Sequence, residues 1–316
     1  MLRAYALDLD NITSLIENES CESIYEEVNR EKINSSLKDI LKQKSKSLNG
    51  KKLMDLFFPS KNCPVFLSHS GLDDKRVTQF SQWLKRNFEI NSFIDSDLWG
   101  CIKDLQGEMD QRCKTNSGTK EQIARYVQSR CSGNAFDYTE RNNNTANVHI
   151  MLCHALTQMI DTAECFIFLG SSNSYSEQGG KKGTFSPWIF HELSTTNVIR
   201  ESCIRDTVPN ELPKLSCNSN FSERVGQERK IKIFYPTPLE RHALLEKKDL
   251  EKWARKCSSL GLYDDCRLLS ERVMDFYYND DDGSIDAKEK WEKALNWLYR
   301  NCYNKVVNDE IRGAHK

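Results

Sequence analysis

Three polar clusters follow short apolar runs in this chain: Ser68-His69-Ser70, Asp95-Ser96-Asp97 and Ser171-Ser172-Asn173. Hydroxyls, an imidazole and carboxylates grouped in this way can hydrogen-bond and orient a polar ligand. In open α/β sheets, ligands bind at the carboxyl ends of the strands, where such clusters stand. A further carboxylate, Glu192, follows a helix-opening signal, Ser186-Pro187-Trp188. Serine caps the first unpaired amides of a helix, and proline suits its first position. Taken alone, Glu192 reads as an ordinary acidic residue favoured by the helix dipole.

Metal chemistry has weaker signals. His149 and Cys153 are four apart and could share a helix face, but no second ligand pair completes a site. Asp280, Asp282, Gly283, Ile285, Asp286 and Glu289 fall on the positions of a calcium-binding EF-hand loop. Tyr278 stands where the first aspartate ligand belongs, and no paired loop follows. The simpler reading is an acidic turn in which Asp286 caps a helix and Glu289 completes a capping box. No metal and no resident cofactor is expected.

The elements that position these residues follow from periodicity. The run 64–68 is short and β-prone, and Val77, Phe80, Trp83 and Leu84 then recur at helical spacing. A second strand is predicted over 91–95, giving a βαβ unit and hence a parallel sheet. Residues 101–147 read as an irregular insertion containing one or two helices, for example over 120–129. An apolar helix face follows at Ile150, Met151, Cys153, Ala155, Leu156, Met159 and Ile160. The continuous apolar run 165–169 reads as a fully buried central strand. A helix is expected from Ser186 to about Arg200, and a last strand over 230–235, closed by Pro236 and Pro238.

Outside this α/β region the pattern is helical. Leu37, Ile40 and Leu41 mark a surface helix before it, and Trp291 to Tyr299 belongs to helices after it. The predicted organisation is a helical N-terminal extension over 1–60, an α/β domain over 61–238 and a helical region over 239–316. Lys plus Arg number 45 and Asp plus Glu 46 among 316 residues, so bulk electrostatic binding to nucleic acid or an anionic membrane is not expected. The run 165–169 is far short of the roughly 20 apolar residues that span a bilayer. The N-terminus lacks a basic and then apolar leader, and the 12 cysteines contain no Cys-x-x-Cys pair. The expectation is a cytoplasmic protein with free thiols.

The same residues resemble a known family. Val65-Phe66-Leu67-Ser68-His69-Ser70-Gly71-Leu72-Asp73-Asp74 is similar to the first box of Toll/interleukin-receptor (TIR) domains, whose bacterial members often read Phe-Ile/Leu-Ser-His-Ser-x-x-Asp. Phe93-Ile94-Asp95 resembles their second strand, and residues 162–171 their fourth strand with its serine-rich loop. Ser186-Pro187-Trp188-Ile189-Phe190-His191-Glu192-Leu193 is similar to their S-x-W-x-x-x-E-L helix. The matches are ordered and cover about residues 62–236. The long insertion departs from the pattern. So does Asp95-Ser96-Asp97-Leu98-Trp99-Gly100, which replaces the Arg-Asp-x-x-Pro-Gly loop of animal adaptors. The nearest likeness is to the TIR subunit of Thoeris-type anti-phage systems.

That resemblance implies a flavodoxin-like open parallel sheet and cleavage of NAD+, as substrate, at the nicotinamide–ribose bond. Glu192 is then the catalytic residue, holding the ribose and stabilising an oxocarbenium-like transition state. Ser68, His69 and Ser70 would line the nicotinamide pocket, with His69 alternatively a residue that packs the loop. Asp73 would join them or cap the next helix. Asp95, Asp97 and Trp99 would form a gating loop, with Trp99 the candidate for adenine stacking, and Ser171 would lie on the loop after the later strand. Trp188, on the face of Glu192, would wall the site or anchor the helix in the core. The implied product is an ADP-ribose-derived, possibly cyclic, signal sensed by a separate effector. Self-association through TIR contacts and a phage-derived trigger are the implied partners. Two other functions fit the residues: a non-catalytic TIR scaffold, and another nucleoside or nucleotide glycosyl-transfer enzyme.

Overall fold

Short apolar runs that end in polar turns build a parallel sheet. The computed structural model describes residues 3–21, 35–37, 39–40, 48–57, 63–112, 138–178, 181–199, 233–239, 242–259 and 284–302. These divide into two units, one of residues 1–23, 62–94 and 157–316, the other of residues 24–61 and 95–156.

The sheet lies in the first unit. Its strands are β1 (Arg3–Asp8), β2 (Val65–Ser68), β3 (Ser92–Ile94), β4 (Cys165–Gly170) and β8 (Ala243–Leu245), in the order β3-β2-β4-β1-β8. All four pairings are parallel; Leu67 faces Ile94 on one side and Ile167 on the other. A five-stranded parallel sheet flanked by helices makes this an α/β fold, consistent with a flavodoxin-like architecture.

Side chains alternate between the two faces. On one face Tyr5, Leu7, Val65, Leu67, Cys165, Ile167, Leu169 and Leu245 enter a single apolar core. That core also takes residues of α1 (Leu9–Ile16), α3 (Asp74–Phe88), α7 (Lys247–Ser259) and α8 (Ser284–Cys302). The Phe88 and Trp253 rings stack at 3.7 Å, and the Trp253 indole N–H donates to the Ala294 carbonyl at 2.9 Å. Each such fully buried aromatic contributes about 2–3 kcal/mol of transfer free energy. The opposite face carries Phe66, stacked on Phe166 at 5.5 Å, and at its carboxyl end Ser68.

A second, antiparallel sheet joins β5 (Ser176–Gln178), β6 (Lys181–Thr184) and β7 (Tyr235–Pro236). Gly183 is required there: a Cβ on it would lie 2.3 Å from the Tyr235 carbonyl oxygen. The helix α6 (Pro187–Val198) follows β6, and its Phe190 stacks on Tyr235 at 4.7 Å.

The second unit is helical where described. It contains α2 (Gly50–Phe57), α4 (Ser96–Arg112) and the first part of α5 (Tyr138–Thr162). Gln106 donates to Thr145 at 3.2 Å and Arg141 pairs with Asp110 at 2.9 Å, linking α4 to α5.

Several sequence expectations are corrected. Residues 3–8 are not part of a helical extension but a strand buried between β4 and β8. Tyr235 does not end the parallel sheet; it belongs to the antiparallel one, and Ala243–Leu245, within the region read as helical, takes the sheet edge. The insertion contains helices as expected, but the described ones run over Ser96–Arg112 and from Tyr138 onward, longer than an irregular segment would allow. The helix predicted over 120–129 lies outside the described residues, as does the acidic loop as far as residue 283. The helix after that loop starts at Ser284, so Asp286 lies inside its first turn and not before it.

Candidate active site

The strand order reverses direction between β2 and β4. From β2 the chain proceeds to β3 on one side, and from β4 to β8 on the other. Such a switch point opens a crevice at the strands' carboxyl ends. Right-handed crossovers then place helices of the two directions on opposite faces of the sheet.

Two side chains meet at this point. Ser68 is the last residue of β2, and its side chain is on the face of Phe66. In α6 the Ser186 hydroxyl accepts from the Ile189 amide at 3.3 Å, and Pro187 takes the first helical position. This start sets the phase of the helix. Ile189, Glu192, Leu193 and Thr196 then fall at three- and four-residue spacing and are buried. Glu192 is the acidic member of that stripe, 1% exposed. The Ser68 hydroxyl donates to Glu192 Oε2 at 2.5 Å.

The neighbouring predicted residues form a different group. Asp73 is buried, and it makes no cap hydrogen bond to α3. Its carboxylate accepts instead from the Ser171 hydroxyl, the Arg76 guanidinium and, at 2.8 Å, the Asn173 amide. Burial works against its ionisation, but the hydrogen bonds from Ser171, Arg76 and Asn173 and the Arg76 charge prevail and hold its pKa below the usual value. Arg76 also donates to Asp10 at 2.5 Å, and Asp10 accepts from the Ser172 amide at 3.1 Å. Carboxyl-end residues following β1, β2 and β4 are thereby joined in one charged network. Asp73 and Ser171 are its centre.

His69 is buried, with Nδ1 3.4 Å from the Leu67 carbonyl and Nε2 3.1 Å from Asp74. It ties the end of β2 to the start of α3. The Ser70 hydroxyl accepts from the Leu72 amide at 3.4 Å and starts the short turn before α3. Trp188 is half-buried, beside the buried stripe of its helix. Asp95 and Trp99 belong to the second unit. Asp95 is buried in the turn after β3. Trp99 is on the backbone of α4, not in a loop, and its side chain lies outside the described residues.

No family model, curated protein or solved structure matches the chain.

The geometry adds residues that the sequence reading missed. Arg76 stands three residues after Asp73, a spacing that pairs charges on a helix, and this was the available signal. Tyr175 folds its ring over Gly170, where a Cβ would come within 2.6 Å of the ring. The ring edge meets Phe168 at 5.4 Å, and Lys182 Nζ lies 5.4 Å from its centroid. His242 is buried against Phe166, and its Nε2 is 3.3 Å from the Thr196 hydroxyl, one turn beyond Glu192. Burial lowers its pKa from 6.5 to about 3, so the ring is neutral. Among the described residues no group of three or more His, Cys, Asp or Glu could hold a metal, and no helix is long and apolar enough to cross a membrane. Cys21, Cys63, Cys153, Cys165, Cys257 and Cys302 are free thiols.

Proposed function

We propose that this chain is a TIR-type enzyme that cleaves NAD+ at the nicotinamide–ribose bond. The observation that carries the reading is the buried 2.5 Å hydrogen bond from Ser68 to Glu192 at the sheet's switch point. A carboxylate is brought to the usual ligand end of an α/β sheet, on a rigid helix, and one of its oxygens is held by a hydroxyl.

In the proposed reaction the C–N bond breaks and nicotinamide departs with the bonding electron pair as a neutral base. No strong general acid is needed. Glu192 stabilises the positive charge that develops on the ribosyl carbon and holds the ribose hydroxyls. Ser68 orients Glu192 and acts through it, as a positioning residue. Water, or a nucleophile in the adenosine half of the same molecule, then forms the new bond to that carbon and loses its proton. The product is ADP-ribose or a cyclic derivative. A signal of this kind, made in anti-phage defence and read by a separate effector, is the biological role we assign to it.

The test is incubation of the purified protein with NAD+, alone and with lysate from phage-infected cells, with products read by mass spectrometry. Nicotinamide release that requires Glu192 supports the enzyme. Absence of turnover under both conditions leaves Ser68–Glu192 as a structural pin and favours a scaffold.

A further inference from the structure

A carboxylate that stabilises a developing charge must be held within about 0.5 Å of its working position. The bond from Ser68 fixes Glu192 at one point, and about a single point a helix can still turn. Its neighbours in the buried stripe, Ile189 and Leu193, are apolar, and apolar burial has no direction. The rotation of α6 is set by directional contacts further along it.

The segment before β8 makes those contacts. The Asn197 side-chain amide donates to the Pro238 carbonyl at 3.2 Å, and His242 Nε2 lies 3.3 Å from the Thr196 hydroxyl. That hydroxyl has one proton and gives it to the Leu193 carbonyl at 2.7 Å. Toward His242 it must then accept, so the ring carries a proton on Nε2. Thr196 and His242 are 1% and 4% exposed, so water does not compete for the bond. The ring is itself held in place. The His242 amide donates to the Leu239 carbonyl at 3.0 Å, and the ring meets Phe166 edge-on at 5.7 Å. Phe166 is the register partner of Phe66 and stacks on it, and Phe66 precedes Ser68 by two residues on the same face of β2. The contacts close a circuit. They run from Glu192 to Ser68, along β2 to Phe66, across to Phe166 and His242, and through Thr196 back into α6 one turn beyond Glu192.

We propose that His242 is a positioning residue for Glu192, acting through Thr196 to set the rotation of α6. The inference rests on the NAD+ reading and adds to it a residue outside the reacting groups. It is tested on the full chain with His242→Leu, Thr196→Val, the double variant and His242→Gln. NAD+ steady-state kinetics are measured beside hydrogen–deuterium exchange of the α6 amides. His242→Leu and Thr196→Val are each expected to lower kcat about tenfold, with KM changed by less than about twofold. The double variant is no worse than either single one, because both remove the same contact. His242→Gln supplies an amide donor in place of Nε2–H and recovers most of the loss. Exchange quickens over residues 187–198 in His242→Leu and stays at the wild-type rate over α3. Additive losses, equal losses in His242→Gln and His242→Leu, or a raised KM with kcat intact overturn the proposal. Should His242→Leu fail to fold, the nearly isosteric Thr196→Val decides, and an unaltered kcat in it overturns the proposal. If the wild-type protein releases no nicotinamide from NAD+, the cleavage reading fails. Quicker α6 exchange in His242→Leu then still supports His242 as the residue that holds the helix, and unchanged exchange removes that role too.

Discussion

The Ser68 hydroxyl donates to Glu192 at 2.5 Å, between residues 124 apart in the chain and both fully buried. One is the last residue of a strand and the other lies in the buried stripe of a helix, so the bond fixes the helix against the sheet. Glu192→Gln keeps the shape and removes the charge. In the proposed reaction it is expected to reduce NAD+ turnover by roughly 100-fold or more with little change in unfolding midpoint. Ser68→Ala removes a donor from a buried carboxylate. A stability loss of about 1–3 kcal/mol is expected, measured by denaturant unfolding. Turnover should fall by roughly 10- to 100-fold as Glu192 loses its orientation.

Arg76 and Asp73 form a partly buried pair, so the two substitutions differ. Arg76→Leu leaves the Asp73 carboxylate buried without its cation and is expected to cost about 3 kcal/mol. Asp73→Asn, which keeps the shape, is expected to cost less. The pKa of Asp73 is lowered in the folded protein, so its contribution is present above the unfolded-state value and is lost as the pH falls through the folded one. Unfolding midpoints measured below about pH 4 should therefore drop more steeply in the wild type than in Asp73→Asn.

His242 acts in a higher window. Its folded-state pKa is about 3 against 6.5, because burial disfavours the charged ring. Between these values the unfolded chain binds the proton and the folded one does not, so stability rises with pH. The wild type should lose stability as pH falls below about 6.5, and His242→Gln should lack that slope. Denaturant midpoints at pH 7.5, 6 and 5 are the check. Equal slopes in the two proteins would count against a buried neutral ring.

Gly183→Ala tests the closeness of β6 and β7. The added methyl meets a backbone carbonyl, which cannot rotate away as a side chain would. A loss on the order of 1–3 kcal/mol is expected, read as a lower melting temperature.

Residues that announce themselves locally were legible in the sequence. Ser186 and Pro187 start α6 as their types require, and Val65-Phe66-Leu67-Ser68 is a strand. The burial of Val77, Phe80, Trp83 and Leu84 on one helix face follows their spacing. The rest depended on distant partners. Arg3–Asp8 carries no strong strand period of its own, and it becomes a strand because β4 and β8 supply both ladders. Ala243–Leu245 is too short to stand out between Pro238 and the helix that follows. Trp188 reads as core by type, yet its position on α6 leaves it half-buried beside the stripe formed by Ile189, Glu192 and Leu193. Asp73 stands where a cap is expected, and the partners that claim its carboxylate lie on a different loop and one helical turn away. Glu192 was legible as a residue, and its partner Ser68 as another. Their contact is a tertiary fact.

The location of β1 has a kinetic consequence. Arg3 faces Cys165 and Tyr5 faces Ala243, so neither ladder of this strand can form until chain far downstream has been synthesised. Residues 3–8 therefore pair only once those distant segments are present, and closure of the sheet is a non-local event. A refolding rate that falls sharply when Tyr5 or Leu7 is truncated to alanine is the signature of such an assembly order.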